Sequence, residues 1–238
     1  MNHSIRNASL GLGLALALAA AQAPAATLTL PLGGLKSGAS IGNYFDGFGD
    51  NVPTDGIGPD LGILFSSNAT AQKAGTTSTS DGRFENEPST QGEVLFFSSA
   101  GGTMNVPNGF FGLSFDYSVS GNNSNLGSTS AYQSATVDLW SGLNGTGTML
   151  DALTLTPVTN PVACANHGDV YCNWSLATTG ATNIGKVESV TFGATSAAAL
   201  TEFDDVQLNT VPLPAAAWLM VSGLAGLGGF MRRRRAAG

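Results

Sequence analysis

Between residues 26 and 210 apolar and polar positions alternate in short runs, with a period of two rather than 3.6. The clearest run is 110–119, FFGLSFDYSV, where Phe111, Leu113, Phe115, Tyr117 and Val119 alternate with small or polar residues. It predicts one strand with one buried face. A second run, 135–140, places Ala135, Val137 and Leu139 on one side. Shorter runs at 27–32, 61–65, 94–97, 103–106, 149–155, 171–176, 186–193 and 202–208 predict further strands. Between them stand Gly-, Asn- and Pro-rich turns, among them Pro107-Asn108-Gly109 and the hairpin turn 144–147, NGTG. Residues 43–60 and the Ser/Thr-rich stretch 66–88 predict loops. About eleven short strands and no helical period before residue 215 predict an all-β domain, an antiparallel β-sandwich or jelly roll over 26–210.

The two ends follow a different pattern. Residues 1–9 are polar, 10–21 (LGLGLALALAAA) are apolar, and Ala23-Pro24-Ala25 offers the small residues that a signal peptidase reads. Residues 1–25 therefore predict a signal peptide cut after Ala25. Residues 215–231 carry no charge, and their one hydroxyl is Ser222. As a helix rising about 1.5 Å per residue they would reach roughly 25 Å, the short end of a bilayer span. Arg232, Arg233, Arg234 and Arg235 follow directly. Such a cluster stays on the cytoplasmic side, which places the bulk of the chain outside.

Composition sharpens this division. All 16 Asp and Glu lie between residues 26 and 210, against four bases, Lys36, Lys73, Arg83 and Lys186, so that region carries an excess of twelve negative charges. A whole-chain charge of −7 conceals it. So acidic a surface excludes a nucleic-acid footprint, and suits solubility and divalent cations.

The tail V-P-L-P-A-A-A-W-L…S-G-L…G-L…R-R-R-R resembles the PEP-CTERM sorting signal of Gram-negative bacteria, recognised by exosortases. Leu213 stands where the named form has Glu, so the motif is the variant Val211, Pro212, Leu213, Pro214. With the signal peptide, this resemblance implies three segments: a signal peptide (1–25), an ectodomain (26–210) and a sorting signal (211–238). It implies signal peptidase and an exosortase as partners, an inner-membrane intermediate, then processing and release to the cell envelope or an extracellular matrix. A GPI signal lacks the arginine cluster, and no LPxTG is present. The segment 187–208, VESVTFGATSAAALTEFDDVQL, resembles the closing hairpin of galactose-binding-like jelly rolls, a less specific likeness.

Candidate chemistry is sparse. Cys164 and Cys172 are the chain's cysteines. In an exported chain at this spacing they predict a disulfide, worth about 2.5 kcal/mol by loop entropy; a metal pair with His167 is the alternative. Outside the signal peptide His167 is the one histidine, and no G-x-S-x-G, HExxH, Walker or dinucleotide fingerprint occurs. Asp46, Asp50, Asn51, Asp55 and Asp60 share one Gly-rich loop, and Asp204-Asp205 close the domain. If first and last strands are neighbours, Asp46, Asp50 and Asp205 are candidate ligands for a structural Ca²⁺, whose six to eight oxygens suit such a loop. Solvated loop acids are the plain alternative. Tyr132 and Trp140 are candidate stacking residues for a sugar, with Tyr117 and Trp174 more distant ones. Two functions remain: an exported structural or adhesive surface protein binding extracellular polysaccharide, or a secreted glycan hydrolase using paired carboxylates.

Overall fold

Period-two alternation produces eleven strands among the described residues: β1 (Ala26–Thr29), β2 (Leu64–Phe65), β3 (Ala69–Lys73), β4 (Glu93–Phe97), β5 (Gly102–Phe110), β6 (Gly112–Val119), β7 (Ala135–Gly142), β8 (Thr146–Leu155), β9 (Ser175–Thr178), β10 (Val187–Ala194) and β11 (Thr201–Thr210). The computed structural model describes residues 26–48, 57–73, 84–98, 101–119, 135–156, 171–179, 185–194 and 201–210. They belong to one compact unit, Ala25–Val211.

The strands form two antiparallel sheets. The first has the order β3-β4-β11-β6-β9, with β1 also paired to β11; the second has the order β2-β5-β10-β7-β8. β11 is long enough to share one flank, pairing Glu202 and Phe203 with β4 and its residues 207–210 with β1. First and last strands are thus neighbours. An antiparallel β-sandwich results, as the alternation predicts, with one continuous core between the sheets.

Four phenylalanines from both sheets join at the centre. Phe97 stacks on Phe192 with ring centroids 4.6 Å apart. Phe203 meets Phe192 edge-on at 4.9 Å and Phe115 at 5.4 Å. Leu113, Phe115, Tyr117 and Val119 of β6 and Ala135, Val137 and Leu139 of β7 point inward.

Several sequence expectations are corrected. Residues 110–119 are not one strand: the chain bends at Phe111, which is 37% exposed, and passes from the second sheet to the first. Pro107-Asn108-Gly109 is no hairpin turn but an irregular stretch of β5, where the pairing with β10 slips between Asn105 and Phe110. Proline lacks a ladder donor and Gly109 takes φ +73°, so the ladder is interrupted without reversing. Residues 69–73, expected as loop, form β3, whose small side chains Ala69 and Ala71 are buried. The expected closing hairpin is also absent. β10 pairs with β5 and β7 while β11 pairs with β6, so consecutive strands lie in opposite sheets.

One edge of the sandwich is sealed by the segment before β2. Ile41 N–H donates to Ala69 O and Phe65 N–H to Gly42 O, at 2.9 Å each. At the chain's entry to β5, a Cβ on Gly102 would stand 1.9 Å from Cδ1 of Phe97. Because Phe97 is itself stacked in the core, it has nowhere to retreat. Gly102→Ala is expected to cost about 1–3 kcal/mol through overpacking. A lowered urea midpoint at unchanged m-value would show it; an unchanged midpoint would contradict this packing.

Candidate functional site

The outward face of the second sheet gathers the most polar chemistry. On β7, Thr136, Asp138 and Trp140 alternate with the core residues and are half-buried. Register then decides their company. Asp138 lies between Thr191 of β10 and Ala152 of β8, and Thr191 is next to Thr103 of β5. Thr136 lies between Gly193 and Thr154. Trp140 lies between Ser189 and Met149, and its indole N–H donates to Thr191 Oγ1 at 3.0 Å. The indole therefore leans across to β10, beside Asp138.

The β7–β8 connection folds back over part of this face. Its 3-10 turn, Leu143–Gly145, carries Asn144 at φ +57°, a left-handed conformation that Asn tolerates. Asn144 N–H donates to Asn105 Oδ1 at 2.7 Å, Asn105 Nδ2 donates to Asn144 Oδ1 at 2.8 Å, and Gly145 N–H donates to Ser189 Oγ at 2.9 Å. A Cβ on Gly145 would come within 2.6 Å of the Thr191 methyl. The turn thus covers the Asn105–Ser189 end, and the Asp138 end stays open toward exposed Ala152.

Burial pushes the Asp138 carboxyl up from its ordinary value. Sequence reasoning picked out Trp140 and missed Asp138. A lone Asp alternating with core residues in VDLW is the signal that marks it.

A second acidic group lies on the outward face of the first sheet. Asp116 and Asp204 are partners in the β6–β11 ladder, and a bulge follows at Asp205, whose φ is +46°. Burial first, then the charges of Asp204 and Asp205, push the Asp116 carboxyl up. Asp204 is fully buried because a strap of chain crosses it. Its Oδ2 accepts from Ser89 N–H at 2.8 Å, and its Oδ1 from Ser89 Oγ–H at 2.7 Å and Asp205 N–H at 2.8 Å. The strap rests on a satellite cluster of Phe84, Val94 and Tyr171 with Trp174 against it, and Trp174 Nε1 donates to Glu85 O at 3.0 Å. Both Asp204 oxygens are occupied by structural donors, so this carboxylate is an anchor rather than half of a hydrolytic pair.

The raised Asp116 carboxyl has a pH consequence. Between the ordinary value of 3.8 and its folded value, the folded chain holds the proton more tightly than the unfolded chain. Stability therefore falls as pH rises through that window, and the penalty persists above it. Asp116→Asn is expected to raise Tm at pH 7, with the gain shrinking toward pH 4. A Tm difference independent of pH would refute the assignment.

Tyr117 is buried, with its hydroxyl donating to Thr156 O at 3.0 Å, so it cannot stack on a sugar. Asp46 forms a backbone bridge with Asp60 across its loop, and Asp205 accepts from Gln207 Nε2 at 2.7 Å. Among the described residues no three His, Cys, Asp or Glu group as a metal cage would require; Asp50 lies outside them. Cys172 is buried, and no free thiol occurs among the described residues. Cys164, His167, Tyr132, Val211, Pro212, Leu213, Pro214, the segment 215–231 and Arg232, Arg233, Arg234 and Arg235 also lie outside the described residues. Among those described, no helix is long and apolar enough to cross a membrane.

No family model and no curated protein matches the sequence. Among solved structures, the chain is similar to the K1 cleaved adhesin domain of Lys-gingipain from Porphyromonas gingivalis W83, at 11% identity over 78% of this chain and 98% of that chain, with a TM-score of 0.42. It is similar to the K2 cleaved adhesin domain of Lys-gingipain at 11% identity, over 78% and 98%, with a TM-score of 0.45. A family 6 carbohydrate-binding module is matched at 15% identity over 63% of this chain and 93% of that chain, with a TM-score of 0.32. Likenesses this loose carry no argument about activity.

Proposed function

We propose that this chain is an exported surface or matrix protein, sorted by an exosortase, whose β-sandwich binds extracellular polysaccharide. The trafficking half is supported by the chemistry of the two ends: a short apolar leader with small residues at its cut site, then the V-P-L-P motif, an uncharged segment and four arginines. The binding half is carried by one observation, the Trp140 ring placed beside an open carboxylate and a row of threonine hydroxyls on one sheet face. An aromatic plane with a few fixed polar groups is what a carbohydrate surface needs.

Two measurements test this. Intact-mass analysis of the protein from its native host is expected to show a chain beginning near Ala26 and lacking the arginines. Finding Arg232–Arg235 still attached to extracellular protein would overturn the sorting half. Glycan-array binding by the processed protein, run beside reducing-sugar release, is expected to give retention without hydrolysis. Sugar release would move the reading to a hydrolase. In the same sample, Cys164 and Cys172 are expected to resist alkylation until reduced; labelling of both without reductant would leave the disulfide untenable.

A further inference from the structure

We propose that the polysaccharide held on this face carries free protonated amines, an amino-sugar polymer at least partly without N-acetyl groups, whose ammonium meets the Asp138 carboxylate while its ring packs on Trp140. The proposal rests on the polysaccharide-binding reading and adds the charge of the ligand to it.

Asp138 is the starting point. It stands mid-sheet on β7, half-buried, flanked in register by Thr191 and Ala152. Among the described residues no cation and no hydrogen-bond donor meets its carboxylate. A partly desolvated carboxylate gains most from a donor that also brings positive charge. Lys186, which precedes β10, is engaged with Glu188 at 2.7 Å. The small, exposed Ala152 leaves the approach to Asp138 open from the β8 side.

Trp140 adds the second element. Its indole leans toward Thr191, the residue in register with Asp138, so ring and carboxylate flank the same threonine on one sheet face. An ammonium placed there is attracted both by the carboxylate and by the aromatic face. The threonine hydroxyls of Thr103, Thr136 and Thr191 can exchange hydrogen bonds with ring hydroxyls, which a lysine side chain does not offer. That favours a pyranose amine over a basic peptide.

The long-range field agrees. The region 26–210 carries sixteen acids against four bases. A uronic-acid or sulfated polymer would approach against that potential, whereas a polyamine chain is drawn in.

The test uses the processed, exported protein and matched polymers. Free-amine β-1,4- and β-1,6-linked glucosamine oligomers are compared with their fully N-acetylated counterparts, with a neutral β-glucan, and with polylysine as a control for charge alone. The free-amine sugars are expected to bind at least about tenfold more tightly than the acetylated and neutral ones, and to weaken as salt rises. Asp138→Asn, nearly isosteric on an open face, is expected to abolish the preference for free amines. Trp140→Ala is expected to weaken sugar binding more than polylysine binding, because only the sugar also packs its ring on the indole. Circular dichroism and Tm confirm that both variants fold. Equal binding to acetylated or neutral glycans, untouched by Asp138→Asn, overturns this proposal and leaves polysaccharide binding standing. Binding to none of the glycans overturns the polysaccharide reading itself. Polylysine binding as tight as that of the amino sugar, and insensitive to both variants, reduces the effect to bulk charge and also overturns the proposal.

Discussion

Phe203→Ala is expected to lower Tm by about 6–20 °C. The side chain is 2% exposed and sits where the two sheets meet. It touches Phe192 at 4.9 Å, Phe115 at 5.4 Å and Phe97 at 6.1 Å between ring centroids. Truncating a buried phenylalanine costs about 3–5 kcal/mol, because transfer energy is lost and the cavity only partly collapses. For a domain of this size each kcal/mol shifts Tm by about 2–4 °C. Collapse is hindered here, since Phe97 and Phe192 already stack on each other and cannot both move into the space. Phe203→Leu is expected to recover more than half of the loss. Calorimetry on both variants decides the matter. A loss below about 1 kcal/mol for the alanine variant would mean that the four rings do not form one packing unit.

Asp204→Ala is expected to cost about 3 kcal/mol by a different route. Asp204 is the next residue on β11 and faces the opposite side. Its removal leaves Ser89 N–H, Ser89 Oγ–H and Asp205 N–H without their acceptor. Hydrogen bonds to a charged group contribute about 1.5–3 kcal/mol each, and stranded buried donors add a penalty. The total is less than their sum, because a buried carboxylate is also relieved of its own desolvation. Asp204→Asn keeps one acceptor oxygen but turns an NH₂ group toward the other donors, so it should recover only part of the loss. The readout that separates this variant from Phe203→Ala is local. Hydrogen exchange at Ser89 and Gln91 should accelerate well beyond the global change, because the strap is released while the phenylalanine core persists. Uniform acceleration across β6, β7 and β11 would show that Asp204 acts on the core and not on the strap.

The adjacent pair Phe203-Asp204 also shows what alternation conveys. Within a strand, period two assigns each side chain to a face, because successive Cβ atoms point to opposite sides. Hence the inward faces at 113–119 and 135–139 were legible, and so was an all-β domain. β3 was less legible: Ala69 and Ala71 are buried but too small to stand out in a Ser/Thr-rich stretch. The stop at Phe111 was hidden too, since the alternation continues through the point where the chain changes sheets.

Partners are another matter. The sequence by itself determined the acidic excess, the chemistry of the two ends and the faces of the longest strands, all of which are local properties of the chain. Only the tertiary structure decided that Asp138 lies against Thr191, that the Trp140 indole reaches the same threonine, and that Asp204 anchors Ser89, 115 residues away in the chain. These juxtapositions depend on strand order and register. Those are set by how two sheets together fill one core, and no single strand's pattern contains that information.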